Sequence, residues 1–237
     1  MDYRESHLSK GDSYDVRIAT EPFDAYMARR EARYLTEIVP RLVNQGARRY
    51  LDFACGTGRI TATVGPLVEE TVGVDVSESM LAQARRKCPF ARFVCADITS
   101  EPLDLGTFDL ATSFRFFGNA EPELRTAALR AIAALLKPRG HLIVNNHRNP
   151  RAFASLLHRM TGGREELDLT HPKLVRLLRD HGFRVVETYP IAVWAFRSKL
   201  QSTRVLESRL AEKAERAFGH RGWASFAPDC IVVAQRE

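Results

Sequence analysis

The sequence of 237 residues lacks several things, and each absence removes a class of function. No apolar run approaches the roughly 20 residues that cross a bilayer, and the charged opening MDYRESHLSKGD has no apolar core of the kind a secretory signal carries. Both absences point to a cytoplasmic protein without membrane insertion. The four cysteines, Cys55, Cys88, Cys95 and Cys230, form no CxxC pair, which argues against a zinc module or a disulfide framework. They read instead as small, reduced, buried side chains. The histidines have no carboxylate partners at metal-ligand spacing, so no metal is expected. Internal repeats and low-complexity linkers are missing too. The formal charge is +6, but the basic residues are scattered rather than gathered into a stripe. That pattern argues against a nucleic-acid partner and reads first as a solvated basic surface, with attraction for an acidic small molecule as the alternative.

What is present is a regular alternation. Residues 24–43, DAYMARREARYLTEIVPRLV, carry apolar side chains at helical spacing, with Pro40 expected to bend or end the helix. RRYLDFA reads as a strand, GRITATVGPLV as a helix weakened by β-branched residues, and TVGVDVS as a second strand ending at Asp75. Ser77 is placed to cap the helix SESMLAQARRK. ARFVCADI and TFDLATSF read as strands, EPELRTAALRAIAALLK as a helix, and PRGHLIVNNH as a turn and strand. HPKLVRLLRDHGF is a helix closed by Gly182, followed by the strands RVVETYPIAVW and DCIVVAQRE. Strands alternating with helices at this rhythm imply a mostly parallel sheet covered on both faces. The length suits one such core.

The stretch Tyr50–Ile60, YLDFACGTGRI, turns tightly straight after a strand. A dinucleotide turn needs G-x-G-x-x-G, and here Thr61 stands where the third glycine belongs. A phosphate-cradling G-x-x-x-x-G-K-[ST] loop needs a lysine that GTGRITAT lacks. Asp75 falls beside the turn, where a carboxylate accepts hydrogen bonds from ribose hydroxyls. Asp52, Asp75 and Asp97 together make poor neighbours for a pyrophosphate and good ones for a cofactor that carries positive charge.

LDFACGTGR, VGVDVSESML, FVCADI and LLKPRGHLIV, in that order, resemble the motif series of the class I S-adenosylmethionine-dependent methyltransferases, from about Tyr50 to Asn146. The resemblance implies a Rossmann-like, doubly wound, mostly parallel seven-stranded sheet with helices on both faces, an antiparallel last strand and a helical lid. It implies S-adenosylmethionine as cofactor and S-adenosylhomocysteine as product. It also implies Ala54, Gly56 and Gly58 as backbone contacts under the methionine part. Asp75 would lie on the ribose, with Val76 and Met80 against the adenine. Asp97, flanked by Ala96 and Ile98, would meet the adenine amino group, and Asp52, Ser113 and Phe114 would lie near the methionine end. Tyr14, Tyr26 and Arg30 belong to the N-terminal stretch where many members place a lid, and an arginine there pairs with the cofactor carboxylate.

The stretch TSFRFFGN, Thr112–Asn119, would face the transferred methyl. It lacks the Asn/Asp/Ser-Pro-Pro-aromatic motif of enzymes that methylate bases. Instead Phe114, Phe116 and Phe117 surround Arg115, a setting for an organic acceptor with an anionic group. VNNHRNP brings Asn146, His147 and Arg148 to the same edge, and His147 is the candidate general base. Expected, then, is one domain over residues 1–237, with N-terminal lid helices at about 1–45 and lid insertions at about 151–170 and 197–223. The expected activity is methyl transfer to a small organic acceptor, at a hydroxyl oxygen of a natural-product or sugar-type, anionic compound, by a monomer or homodimer. The alternatives are transfer to nitrogen or carbon, an NAD-dependent oxidoreductase or a non-catalytic cofactor-binding protein.

Overall fold

The computed structural model describes residues 20–101, 103–147, 149–152, 155, 168–192, 213 and 223–237. In chain order the elements are α1 (Pro22–Asn44), β1 (Arg49–Phe53), α2 (Arg59–Val64) running into a 3-10 turn at Gly65–Leu67, β2 (Glu70–Asp75), α3 (Glu78–Lys87), β3 (Arg92–Cys95) and β4 (Phe108–Ser113). They continue with α4 (Pro122–Leu135), β5 (Leu136–Asn145), α5 (His171–Asp180), β6 (Phe183–Ile191), a 3-10 turn at Trp223–Phe226 and β7 (Asp229–Arg236). The sheet has seven strands in the order β3-β2-β1-β4-β5-β7-β6. Strands β1 to β5 are parallel, and β7 runs antiparallel between β5 and β6. The order reverses between β1 and β4, which opens a crevice at the carboxyl ends of those strands, the usual place for a ligand in such a sheet.

The period-2 alternation of the strands decides which helix covers which face. Leu51, Phe53, Ala111, Leu142, Val144, Val232 and Ala234 belong to one apolar core, closed by Leu124, Ala128, Leu129 and Ile132 of α4 and Leu174 and Leu178 of α5. Tyr50, Leu110, Ile143, Ile231 and Val233 face the other way, into a second core built with α1 and with Ile60 and Val64 of α2. Both faces of the sheet are therefore buried.

Three local expectations are corrected. Helix α1 continues through Pro40 to Asn44. Proline removes one ladder hydrogen bond, but Leu35, Ile38, Val39 and Leu42 are all buried around it and hold the helix to the sheet. Strand β3 ends at Cys95, so Asp97 lies in the turn beyond it rather than at the strand's end. The segment after the glycine turn divides into α2 and the 3-10 turn, with Pro66 inside that second turn. Ser77 caps α3 as its position predicts, its hydroxyl accepting from Met80 N at 3.4 Å. Tyr14, Arg148 and most of the two expected lid insertions lie outside the described residues.

Candidate functional site

Strand β1 delivers the chain into a turn with three left-handed residues, Ala54 (φ 56°), Gly56 (φ 53°) and Gly58 (φ 75°). At Gly58 a Cβ would stand 3.0 Å from Ala84 Cβ and 3.2 Å from Ala84 Cα, so glycine is what lets α2 start this close to α3. At Gly56 a Cβ would meet only Met80 Sδ at 3.5 Å, and there the backbone conformation is the constraint. Ala54 holds the same conformation with a methyl group, at a cost of roughly 1–2 kcal/mol. Asp75, at the end of β2, clasps the turn: Gly56 N donates to its Oδ2 at 2.8 Å and Ser77 N to its Oδ1 at 2.9 Å. Val76 and Met80 follow Asp75 in sequence, the first half-buried and the second buried, and half-buried Ala96 donates its N–H to Asp75 O at 3.0 Å, two residues before buried Ile98.

Beneath the turn Asp52 is buried with hydroxyl partners. Thr61 Oγ1 donates to it at 2.6 Å and Thr112 Oγ1 at 2.8 Å. Because the Thr112 proton is committed there, Tyr50 donates its own to Thr112 Oγ1, at 2.6 Å. Burial, opposed by the two threonine bonds and the charge of Arg59, pushes Asp52 up to about 6. Thr61, where a dinucleotide turn would have its third glycine, thus serves a buried acid. Asp97 closes its own turn, accepting from Thr99 N at 3.0 Å, Thr99 Oγ1 at 2.6 Å and Ser100 Oγ at 2.9 Å.

At the carboxyl ends of β4 and β5 the structure assembles an ionic cluster. Arg115 (φ 58°) is fixed by its N–H, which donates to Asn145 Oδ1 at 2.6 Å. Its guanidinium approaches Asp24 at 3.9 Å and Glu31 at 4.0 Å. Glu31 also pairs with Arg59 at 2.7 Å and accepts from Asn145 Nδ2 at 2.9 Å. The same Asn145 nitrogen donates to Asp229 Oδ2 at 3.3 Å. The cation expected to meet an anionic acceptor therefore faces carboxylates. The phenylalanines around it are core: Phe114 belongs to the α1 side, while Phe116 and Phe117 stack edge to face on the α4 side. Ser113 is also buried, and its Oγ has no hydrogen-bond partner among the described residues. Arg30 lays its guanidinium over the Tyr34 ring and donates to Tyr34 OH at 3.1 Å.

His147 is held by Asn119, whose Nδ2 donates both to Arg115 O at 2.7 Å and to His147 Nε2 at 3.2 Å. That network assigns the ring proton to Nδ1 and occupies the nitrogen that would act as base. His171 Nε2 donates to Ala227 O at 2.9 Å and its Nδ1 accepts from Asn146 at 3.0 Å; burial lowers it to about 4, so it is neutral.

The residues brought together at one edge are Asp52, Ala54, Gly56, Gly58, Asp75 and Met80 around the turn, with Arg115 and His147 across the switch point. Sequence reasoning missed Glu31, Arg59, Asn145 and Asp229. One signal was present: Glu31 interrupts the buried stripe of Met27, Leu35, Ile38 and Leu42 on α1. An acid at a core position of a helix announces a buried partner.

Residues 50–140 match a family model described as a methyltransferase domain. Over those residues the chain is similar to a methyltransferase domain. Over 108 residues it is 33% identical to a demethylmenaquinone methyltransferase of Beutenbergia cavernae, a match that covers 44% of each chain. Over 96 residues it is 38% identical to thiocyanate methyltransferase 1 of Arabidopsis thaliana, covering 38% of this chain and 41% of that one. These matches thus span less than half the length of either relative. The fold matches over nearly its whole length that of a magnesium protoporphyrin IX methyltransferase from Synechocystis PCC 6803 with bound S-adenosylhomocysteine (TM-score 0.65, 18% identity, 99% and 97% of the two chains). It also matches an amino pentose methyltransferase from Micromonospora echinaspora (TM-score 0.57, 18% identity, 90% and 97%).

Proposed function

We propose that the protein transfers a methyl group from S-adenosylmethionine to a hydroxyl oxygen of a small organic acceptor, in the cytoplasm. The observation that carries this reading is the glycine turn clasped by Asp75. It offers backbone and a ribose-binding carboxylate, and it places acids rather than cations where a pyrophosphate would lie. The cofactor supplies a methyl group on a sulfonium, whose positive charge suits an edge holding Asp52, Asp75 and Asp97. The remaining task of the chain is alignment and exclusion of water, since methyl transfer is an in-line displacement. Gly56 and Gly58 let the backbone come close, Asp75 orients the ribose, and Met80 and Ile98 border the adenine. The relatives' names support a small acceptor, spanning quinone, porphyrin and amino-sugar compounds. The engagement of Arg115 by Asp24 and Glu31 favours a neutral acceptor over an anionic one.

Calorimetric titration with S-adenosylmethionine, S-adenosylhomocysteine and NADH tests the cofactor, with Asp75→Ala as control. Saturable binding of the first two, lost in the variant, supports the reading, and binding of NADH alone overturns it. Release of S-adenosylhomocysteine with a panel of hydroxylated and amino acceptors then tests the acceptor atom. Turnover confined to amines would replace oxygen by nitrogen.

A further inference from the structure

Glu31 is fully buried, and it gathers partners from three elements of the crevice. Arg59 comes from the helix after the glycine turn at 2.7 Å, Asn145 from the end of β5 at 2.9 Å, and Arg115 from the segment after β4 at 4.0 Å. Helix α1 is thereby latched to both walls of the switch point through one carboxylate. Asp229 shares the Asn145 nitrogen with Glu31, so two buried carboxylates meet on one amide. The cations are unequally divided. Arg59 and Arg115 reach Glu31, whereas no described cation lies within ion-pair distance of Asp229, whose Oδ1 is buried without a hydrogen-bond partner.

An acid buried without a cation keeps its proton. Burial first, and then the charge of Glu31, push Asp229 up to about 8, with Arg115 and the Asn145 bond opposing. The charged and titratable groups facing it are Glu31 from α1, Arg115 from the segment after β4, and Cys230 on its own strand, with Asn145 between. Asp24 and Arg59 stand one partner further out, on Arg115 and Glu31.

We propose that Glu31 is a positioning residue of the cofactor crevice, holding α1 against the glycine-turn helix, and that the latch holds while Asp229 beside it stays uncharged. While Asp229 is uncharged, Glu31 pairs with Arg59 and Arg115 and the latch is closed. When Asp229 ionises at alkaline pH, a second anion enters on the same amide, like charges repel, and α1 is released from the crevice wall. The ligand named here rests on the methyltransferase reading, but the proton on Asp229 does not.

The test titrates the full chain with S-adenosylhomocysteine between about pH 6.5 and pH 9, for the wild type, Asp229→Asn and Glu31→Gln. Infrared spectra of the same proteins without ligand accompany it. The wild type is expected to lose affinity by about fivefold or more across that range, equivalent to roughly 1 kcal/mol. Asp229→Asn, uncharged at every pH, keeps its neutral-pH affinity throughout, and Glu31→Gln binds weakly throughout. A protonated-carboxyl band present at neutral pH in the wild type disappears in Asp229→Asn. Equal pH dependence in the wild type and Asp229→Asn, wild-type affinity in Glu31→Gln, or no such band would overturn the proposal. Failure of the wild type to bind at any pH would instead overturn the methyltransferase reading and the positioning role with it, and the infrared band would still decide the proton.

Discussion

The two ends of the sheet treat the same residue type in opposite ways. At the amino ends of the parallel strands, Asp109 accepts from Arg48 N and Arg49 N, each at 2.9 Å, and from Lys137 at 2.7 Å. Against the upward pull of partial burial, those donors hold its carboxyl below its ordinary value. Glu70 is likewise held down by hydrogen bonds from Arg49, at 2.6 and 2.8 Å. At the carboxyl ends, Asp52 and Asp229 are buried among hydroxyls and amides, and burial raises them to about 6 and about 8. Acids at the first end stabilise the fold by meeting donors that match them. Acids at the second end are held at a cost to stability, a pattern that marks functional edges.

The sharpest way to break this contrast is at the glycines. Gly58→Ala forces a Cβ onto Ala84 at a left-handed position and is expected to cost about 3 kcal/mol in urea unfolding, with loss of S-adenosylhomocysteine binding. Gly46→Ala, near the amino end at φ +105° with open space around its Cβ, should cost about 1–2 kcal/mol and leave binding intact.

Next in size is Asp75→Ala, which strips the acceptor from Gly56 N and Ser77 N. A loss of about 2 kcal/mol in stability and roughly 30-fold in cofactor affinity, read by unfolding and calorimetry, is the expected result.

The pH dependence sharpens the comparison further. Folding raises the value of Asp52, so its contribution to stability is greatest below its unfolded value and falls as pH rises to about 6. Thermal melts of Asp52→Asn across about pH 4 to pH 7 should lack that fall, a difference on the order of 2 kcal/mol. Asp109→Asn should differ with the opposite sign, because a lowered acid stabilises above its unfolded value and loses that contribution as pH falls through its folded value.

The smallest effect is expected at the exposed pair Arg41 and Glu187, 2.8 Å apart with 51% and 34% of their side chains exposed. Arg41→Ala should cost about 0.5–1 kcal/mol, measured in low salt and reduced in high salt.

Much of the fold was legible because its signals are local. Alternation placed the strands, the hydroxyl of Ser77 marked the start of α3, and Gly182 the end of α5. Asp75 was legible because a strand end followed by a cap puts it beside the glycine turn. The helix continues through Pro40 because the local penalty is outweighed by four apolar neighbours of α1 itself, Leu35, Ile38, Val39 and Leu42, buried against the sheet. His147 was legible as a histidine at the edge but not as a partner of Asn119, since that contact joins two loops from different strands.

The sequence by itself determined the alternating architecture, the covered sheet and the tight glycine turn after β1, because period, capping and backbone conformation act over a few residues. Only the tertiary structure decided the charge balance of the crevice. Glu31 and Asp229 stand near opposite ends of the chain, and they meet on Asn145 because β7 inserts antiparallel between β5 and β6 while α1 folds back over the same edge. Burial at that meeting point, rather than any property of the residue in isolation, raises Asp229 above its ordinary value.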